Sequence, residues 1–201
     1  MSDFLSLLFS SLLQLLIFSF IPFIWWLITA RKTKFFQWIG LKKPVFKDSK
    51  FIIFGIIVVV AGLYIGAMFF IMTTFLSDVP TATSQFSGKG LWAVPSIIIY
   101  AIIQTSLSEE LFFRGFLCKR LVSRLGFIAG NTIQSTLFGL LHGIPFGLAT
   151  GNWLVCILLT ILPATIGFTQ GWLNEKKAGG SIIPSWILHG LMNILSALST
   201  I

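Results

Sequence analysis

The stretch FIIFGIIVVVAGLYIGAMFFIMTTFL, Phe51 to Leu76, contains no charged residue and exceeds the roughly 20 residues that a helix needs to cross a bilayer core. Phe4 to Ala30 reads in the same way and is equally free of charge. The chain as a whole agrees with these two segments. Of its 201 residues 56% are hydrophobic and only 10% charged, with a mean hydropathy of +0.94, whereas soluble domains carry about 25% charged residues. A water-soluble globular enzyme is excluded. The fold class is all-α, a polytopic membrane helix bundle of about six transmembrane helices.

Apolar length, with breaks at charge, Pro and Gly clusters, puts these segments near residues 4–30, 51–76, 91–117, 126–142, 152–174 and 182–199. The net charge of +8 is concentrated rather than spread. Arg31, Lys32, Lys34, Lys42, Lys43, Lys47 and Lys50, half of the fourteen cations, fall in one loop. Lys119, Arg120 and Arg124 fall in a second loop, and Lys176 and Lys177 in a third. All three lie on one side of the six-span topology, which the positive-inside rule assigns to the cytoplasm, so both termini are expected outside the cell membrane. The first loop reads as a topology signal that also meets anionic headgroups, and nucleic acid is not an expected partner. The expected location is the plasma membrane, crossed several times, with residues 1–201 forming one membrane domain.

Cys118 and Cys156 belong to no CxxC or Cys/His metal spacing and read as packing residues. The first segment has Asp3 before it and no small-residue cleavage site, so a retained helix is expected rather than a signal peptide. No prenylation box appears at Leu198-Ser-Thr-Ile201. Trp25, Trp26, Trp38, Trp92, Trp153 and Trp172 stand near span ends, as interfacial belts do. Gly167 and Gly171 have the spacing of a close helix contact.

The third segment is the exception to the apolar rule. It reads Ile103-Gln-Thr-Ser-Leu-Ser-Glu109-Glu110-Leu-Phe-Phe-Arg114-Gly115, and each charge at mid-helix costs on the order of 3 kcal/mol, which makes such groups functional candidates. These charges also raise the expectation of a broken or re-entrant third helix. Glu110 and Arg114, four residues apart with the acid first, suit an ion pair, while Glu109 is rotated about 100° from Glu110 and faces elsewhere. The only two histidines of the chain are also intramembrane: His142 follows Phe138-Gly-Leu-Leu, and His189 precedes Asn193 by one helical turn. A convergent set of this kind can activate water, the carboxylate taking a proton while imidazole and carboxamide orient the reactants. It can equally hold a divalent metal such as zinc through Glu109, His142 and His189, or simply bind helices together. Helical rise puts Glu109 about 15 Å from Lys119 but His142 about 24 Å from Gly126, so a later start for the fourth helix is expected.

The ordered motifs Glu109-Glu110-x-x-x-Arg114, Phe138-x-x-x-His142 and His189-x-x-x-Asn193 resemble the three signatures of the CPBP intramembrane protease family, over residues 91–199. That family includes type II CAAX prenyl endopeptidases, Abi proteins and bacteriocin self-immunity proteins. The resemblance implies a CAAX-type endopeptidase with Glu109 as the base for the attacking water. It implies that Glu110 pairs with Arg114, and that His142 helps hold the water or a metal. His189 and Asn193 would orient the scissile carbonyl and stabilise the oxyanion. No HExxH motif is present, so metal dependence would rest on the resemblance alone. The implied partners are the lipid bilayer and a peptide or protein substrate, a bacteriocin or its receptor among the options. The rival readings are a noncatalytic immunity scaffold of the same fold and a proton-coupled transporter, the latter lacking the discontinuous-helix repeats of such proteins.

Overall fold

The computed structural model of the protein describes residues 2–46, 48–77 and 79–201, and every regular element among them is helical. Lys47 and Asp78 of the sequence-read loops lie outside the described residues. In chain order the helices are α1 (Ser2–Thr29), α2 (Phe35–Ile39), α3 (Lys50–Phe75), α4 (Val94–Ile99), α5 (Lys119–Leu125), α6 (Phe127–Thr150), α7 (Trp153–Trp172) and α8 (Ile183–Leu198). Helices are what an apolar chain forms in hydrocarbon, because each backbone polar group must find its partner within the segment. Among the described residues four stretches are long and apolar enough to cross a membrane: Phe4–Thr29, Phe51–Phe75, Gly90–Leu125 and Trp153–Lys177. Phe51 and Leu63 on α3 are 88% and 71% exposed, which a lipid environment accommodates and water would not. This is a multi-pass helical membrane protein.

The third segment is not broken. Helix runs from α4 to α5 through two wide-turn π stretches, Tyr100–Leu107 and Glu110–Cys118. The charges that suggested a break are accommodated by widening, as is common where a helix carries functional groups. Lys119, Arg120 and Arg124, read from the sequence as a loop, are helical, and the turn comes at Gly126 with φ 79°. The expected late start of α6 is likewise not found, since α6 begins at Phe127 immediately after that turn. Counted from Gly126, Glu109 and His142 are nearly equally far along the chain, which removes the reason for expecting one.

The chain divides into two compact units. The first comprises Met1–Pro44, Thr81–Phe116 and Ser181–Ile201, and so contains α1, α2, α4 with the π stretches as far as Phe116, and α8. Its core joins Leu7, Phe86, Ala93, Ile97, Tyr100, Ala101 and Ala197. Polar ties fix the helices in register: Gln14 Nε2 donates to Gln104 O at 2.8 Å and Trp186 Nε1 to Ile102 O at 2.8 Å. At the far end of α1 an aromatic chain runs Phe23–Phe35–Trp38–Phe116 with ring separations of 5.5–6.2 Å.

The second unit comprises Val45–Pro80 and Leu117–Gly180. There α6 and α7 form a hairpin turned at Gly151, with Asn152 Oδ1 capping α7 by accepting from the amides of Leu154 and Val155. The helices meet backbone to backbone along Gly139, Gly143 and Gly147, which face Thr160, Ala164 and Cys156. The expected close contact at Gly171 also forms, against Asn131, whose Nδ2 donates to Phe168 O at 2.9 Å. Of the two free cysteines, Cys118 is buried and donates to Asn131 Oδ1, and Cys156 packs on Gly147. A Cβ at Gly139 would strike the Thr160 carbonyl and the Ala164 methyl. Gly139→Ala is therefore expected to lower stability by about 1–3 kcal/mol, read as a lower melting temperature in detergent. A Gly55→Ala control should leave it nearly unchanged, as no neighbour lies within 4 Å there.

Candidate active site in the first unit

Glu110 is the fixed point of the site. Its carboxylate is fully buried, and the start of the second π stretch places Arg114 Nη1 3.3 Å from Oε1. Ser185 Oγ donates to Oε2, and His189 Nδ1 lies 3.2 Å from Oε1. An ionised carboxylate only accepts, so the shared proton sits on His189 Nδ1. Ser185 and His189 are one turn apart on α8 and face the same carboxylate. Glu110 is thus committed to three partners and has little capacity left to handle a proton.

Glu109 stands in the opposite condition. His189 presents its other ring nitrogen, Nε2, 3.7 Å from Glu109 Oε2, beyond a hydrogen bond. That oxygen is buried and accepts no hydrogen bond from the described residues. One imidazole therefore spans the two adjacent carboxylates, with its Nδ1 proton directed at Glu110 and its Nε2 edge toward Glu109. A buried carboxylate oxygen without a partner is costly, and an oxygen in that position can accept a proton from a small reactant held between it and the imidazole.

Asn193, one turn beyond His189, donates its Nδ2 to Thr105 Oγ1 at 2.8 Å and to Ser106 Oγ at 3.2 Å. Thr105 Oγ1 in turn reaches the carbonyls of Tyr100 and Ala101 in the first π stretch. Both amide protons of Asn193 are spent on holding that widened turn to α8. Close approach of the two elements is secured by Gly190, whose Cα faces Ile102 and Ser106.

Of the six residues singled out by sequence, Glu109, Glu110, Arg114, His189 and Asn193 share the first unit. The first four are linked directly, and Asn193 joins them through α8. His142 belongs to the second unit, where it is half-buried on α6 with Nδ1 2.8 Å from Phe138 O and its ring 4.5 Å from the Phe138 ring. Ser185, Thr105 and Ser106 escaped the sequence reading. Their signal was present: Ser185, His189 and Asn193 form a polar ladder at four-residue spacing in an otherwise apolar helix. Among the described residues no three His, Cys, Asp or Glu side chains gather into a group that could hold a metal ion.

Ionisable groups gathered inside apolar helices, as Glu109, Glu110, Arg114 and His189 are here, mark a functional site in a membrane protein. The chain is a member of the type II CAAX prenyl endopeptidase Rce1-like family, whose model matches residues 90–195, more than half its length. At family level it is a CAAX-type intramembrane protease. No curated protein and no solved structure matches it.

Proposed function

We propose that the chain hydrolyses a peptide bond within the membrane by water that Glu109 activates. The observation that carries this reading is the contrast between the two carboxylates, Glu110 held by Arg114, Ser185 and His189, and Glu109 Oε2 with no hydrogen-bond donor among the described residues. Water donating to Oε2 passes its proton to Glu109 as its oxygen attacks the scissile carbonyl carbon. The carbonyl oxygen becomes the oxyanion, beside which His189 is proposed to stand. Collapse of the tetrahedral intermediate breaks the C–N bond, and Glu109 returns the proton to the leaving amine. Arg114 pairs with Glu110, and Glu110 sets the ring of His189. Asn193 positions the first π stretch through Thr105 and Ser106.

The proposed setting is a plasma membrane with both termini outside, and the proposed substrate a membrane-associated peptide or protein, a bacteriocin or its receptor included. The test compares membrane and secreted peptides of cells expressing the wild type or Glu109→Gln at matched levels. A fragment found only with the wild type supports proteolysis and identifies the substrate. Protection against a bacteriocin that survives Glu109→Gln would instead favour a noncatalytic immunity scaffold. Cleavage abolished by chelation and restored by zinc would assign the water to a metal.

A further inference from the structure

Beyond the end of α1 lies a segment that the hydrolytic site does not use. Arg31, Lys32, Lys34, Lys42 and Lys43 are all exposed there, and no acidic residue occurs from Phe4 to Lys47 to neutralise them. Between them α2 carries Phe36, 64% exposed. Because α1 is a span that ends at Thr29, these residues emerge at the membrane surface, where cations flanking an exposed aromatic ring match anionic headgroups above and acyl chains below.

The same segment grips the site from two sides. Ile39, fully buried at the end of α2, packs directly on the backbone of Gly115, with its carbonyl 2.6 Å and its Cγ1 2.9 Å from where a Cβ would be. Gly115 follows Arg114, the partner of Glu110. Gly40 and Lys42 reach the other side: Gly40 O accepts from the Ile182 amide at 2.9 Å, and Ser181 Oγ donates to Lys42 O at 2.6 Å. Ile182 precedes the first turn of α8, which carries Ser185 and His189. Gly40 makes the reversal possible with φ 94°. One short basic strap thus touches the Arg114 end of the π stretch and the start of α8, the two elements whose side chains meet at Glu110.

We propose that the strap of residues 31–43 binds anionic phospholipid headgroups, and that this binding tightens the Glu110–His189 arrangement through Ile39, Gly40 and Lys42. The site's geometry then depends on the lipid surface, whatever bond it breaks. A positive loop that serves only to set topology would leave the Gly40–Ile182 bond indifferent to headgroup charge.

The test is hydrogen exchange of the full chain in phosphatidylcholine vesicles with and without phosphatidylglycerol, which needs no substrate. In the wild type the peptide containing the Ile182 amide and the peptides spanning 110–116 should exchange more slowly with phosphatidylglycerol present. High salt should erase the difference, and soluble glycerol phosphate should not reproduce it. At about fivefold in affinity per cation, the variant Lys34→Gln/Lys42→Gln/Lys43→Gln should bind the anionic surface on the order of a hundredfold more weakly and lose the protection. Equal exchange of the wild type in both vesicles overturns the proposal, as does an undiminished difference in the triple variant.

Discussion

Glu109→Gln is expected to reduce cleavage by about 10²–10⁴-fold, the range over which positioned general bases contribute, while leaving the melting temperature close to that of the wild type. The pairing of these outcomes is what makes the prediction specific. Oε2 of Glu109 accepts no hydrogen bond from the described residues, and His189 Nε2 is 3.7 Å away. An amide of the same shape therefore removes the proton acceptor and breaks little else. Glu110→Gln should behave differently, because it strips the charge that Arg114, Ser185 and His189 all address, and both stability and activity should fall. Turnover by Glu109→Gln at the wild-type rate would remove Glu109 from the base role.

Arg114→Met is expected to cost about 3–5 kcal/mol of stability, the usual consequence of removing one partner from a buried pair. Arg114 is 1% exposed and Glu110 is 0% exposed, so the orphaned carboxylate cannot recruit water as a surface group would. Arg114→Lys keeps the charge but loses the planar fork, and should fall between the two. The double variant Glu110→Gln/Arg114→Met should regain part of the loss, since no net buried charge remains. Thermal unfolding in one detergent distinguishes these outcomes, and a wild-type melting temperature for Arg114→Met would show that the pair does not hold the helix.

What could be read from the sequence follows from what membranes demand of a chain. Uninterrupted apolar length is an unambiguous signal, so α1 and α3 stand where the composition put them. The ion pair at four-residue spacing was legible for the same reason, because Glu110 and Arg114 are charges with no other role in an apolar span. Helix widening leaves no compositional trace, so the π stretches around Glu109 were taken for a possible break. The end of the third helix was read too early because cations usually mark loops. Lys119 is instead satisfied within its own unit by Glu175 and the Gly180 carbonyl, and the chain turns only at Gly126. Hydroxyl groups were the larger omission. Ser185, Thr105 and Ser106 pass as neutral in an apolar helix, yet they orient Glu110 and Asn193. Gly139, Gly143 and Gly147 were overlooked because a glycine series declares a close contact but not its partner, which only the fold of α6 on α7 supplies.

The central claim is that water, activated by Glu109, attacks the peptide bond directly. It is tested by cleaving the identified substrate with the reconstituted protein in ¹⁸O-labelled water for a single turnover, followed by acid quench and mass analysis of the protein and both products. The account predicts one solvent oxygen in the new carboxylate, no fragment covalently attached to the protein at any time point, and both products slowed by about 10²–10⁴-fold with Glu109→Gln. A covalent fragment–protein adduct, or labelled product formed undiminished by Glu109→Gln, would contradict it.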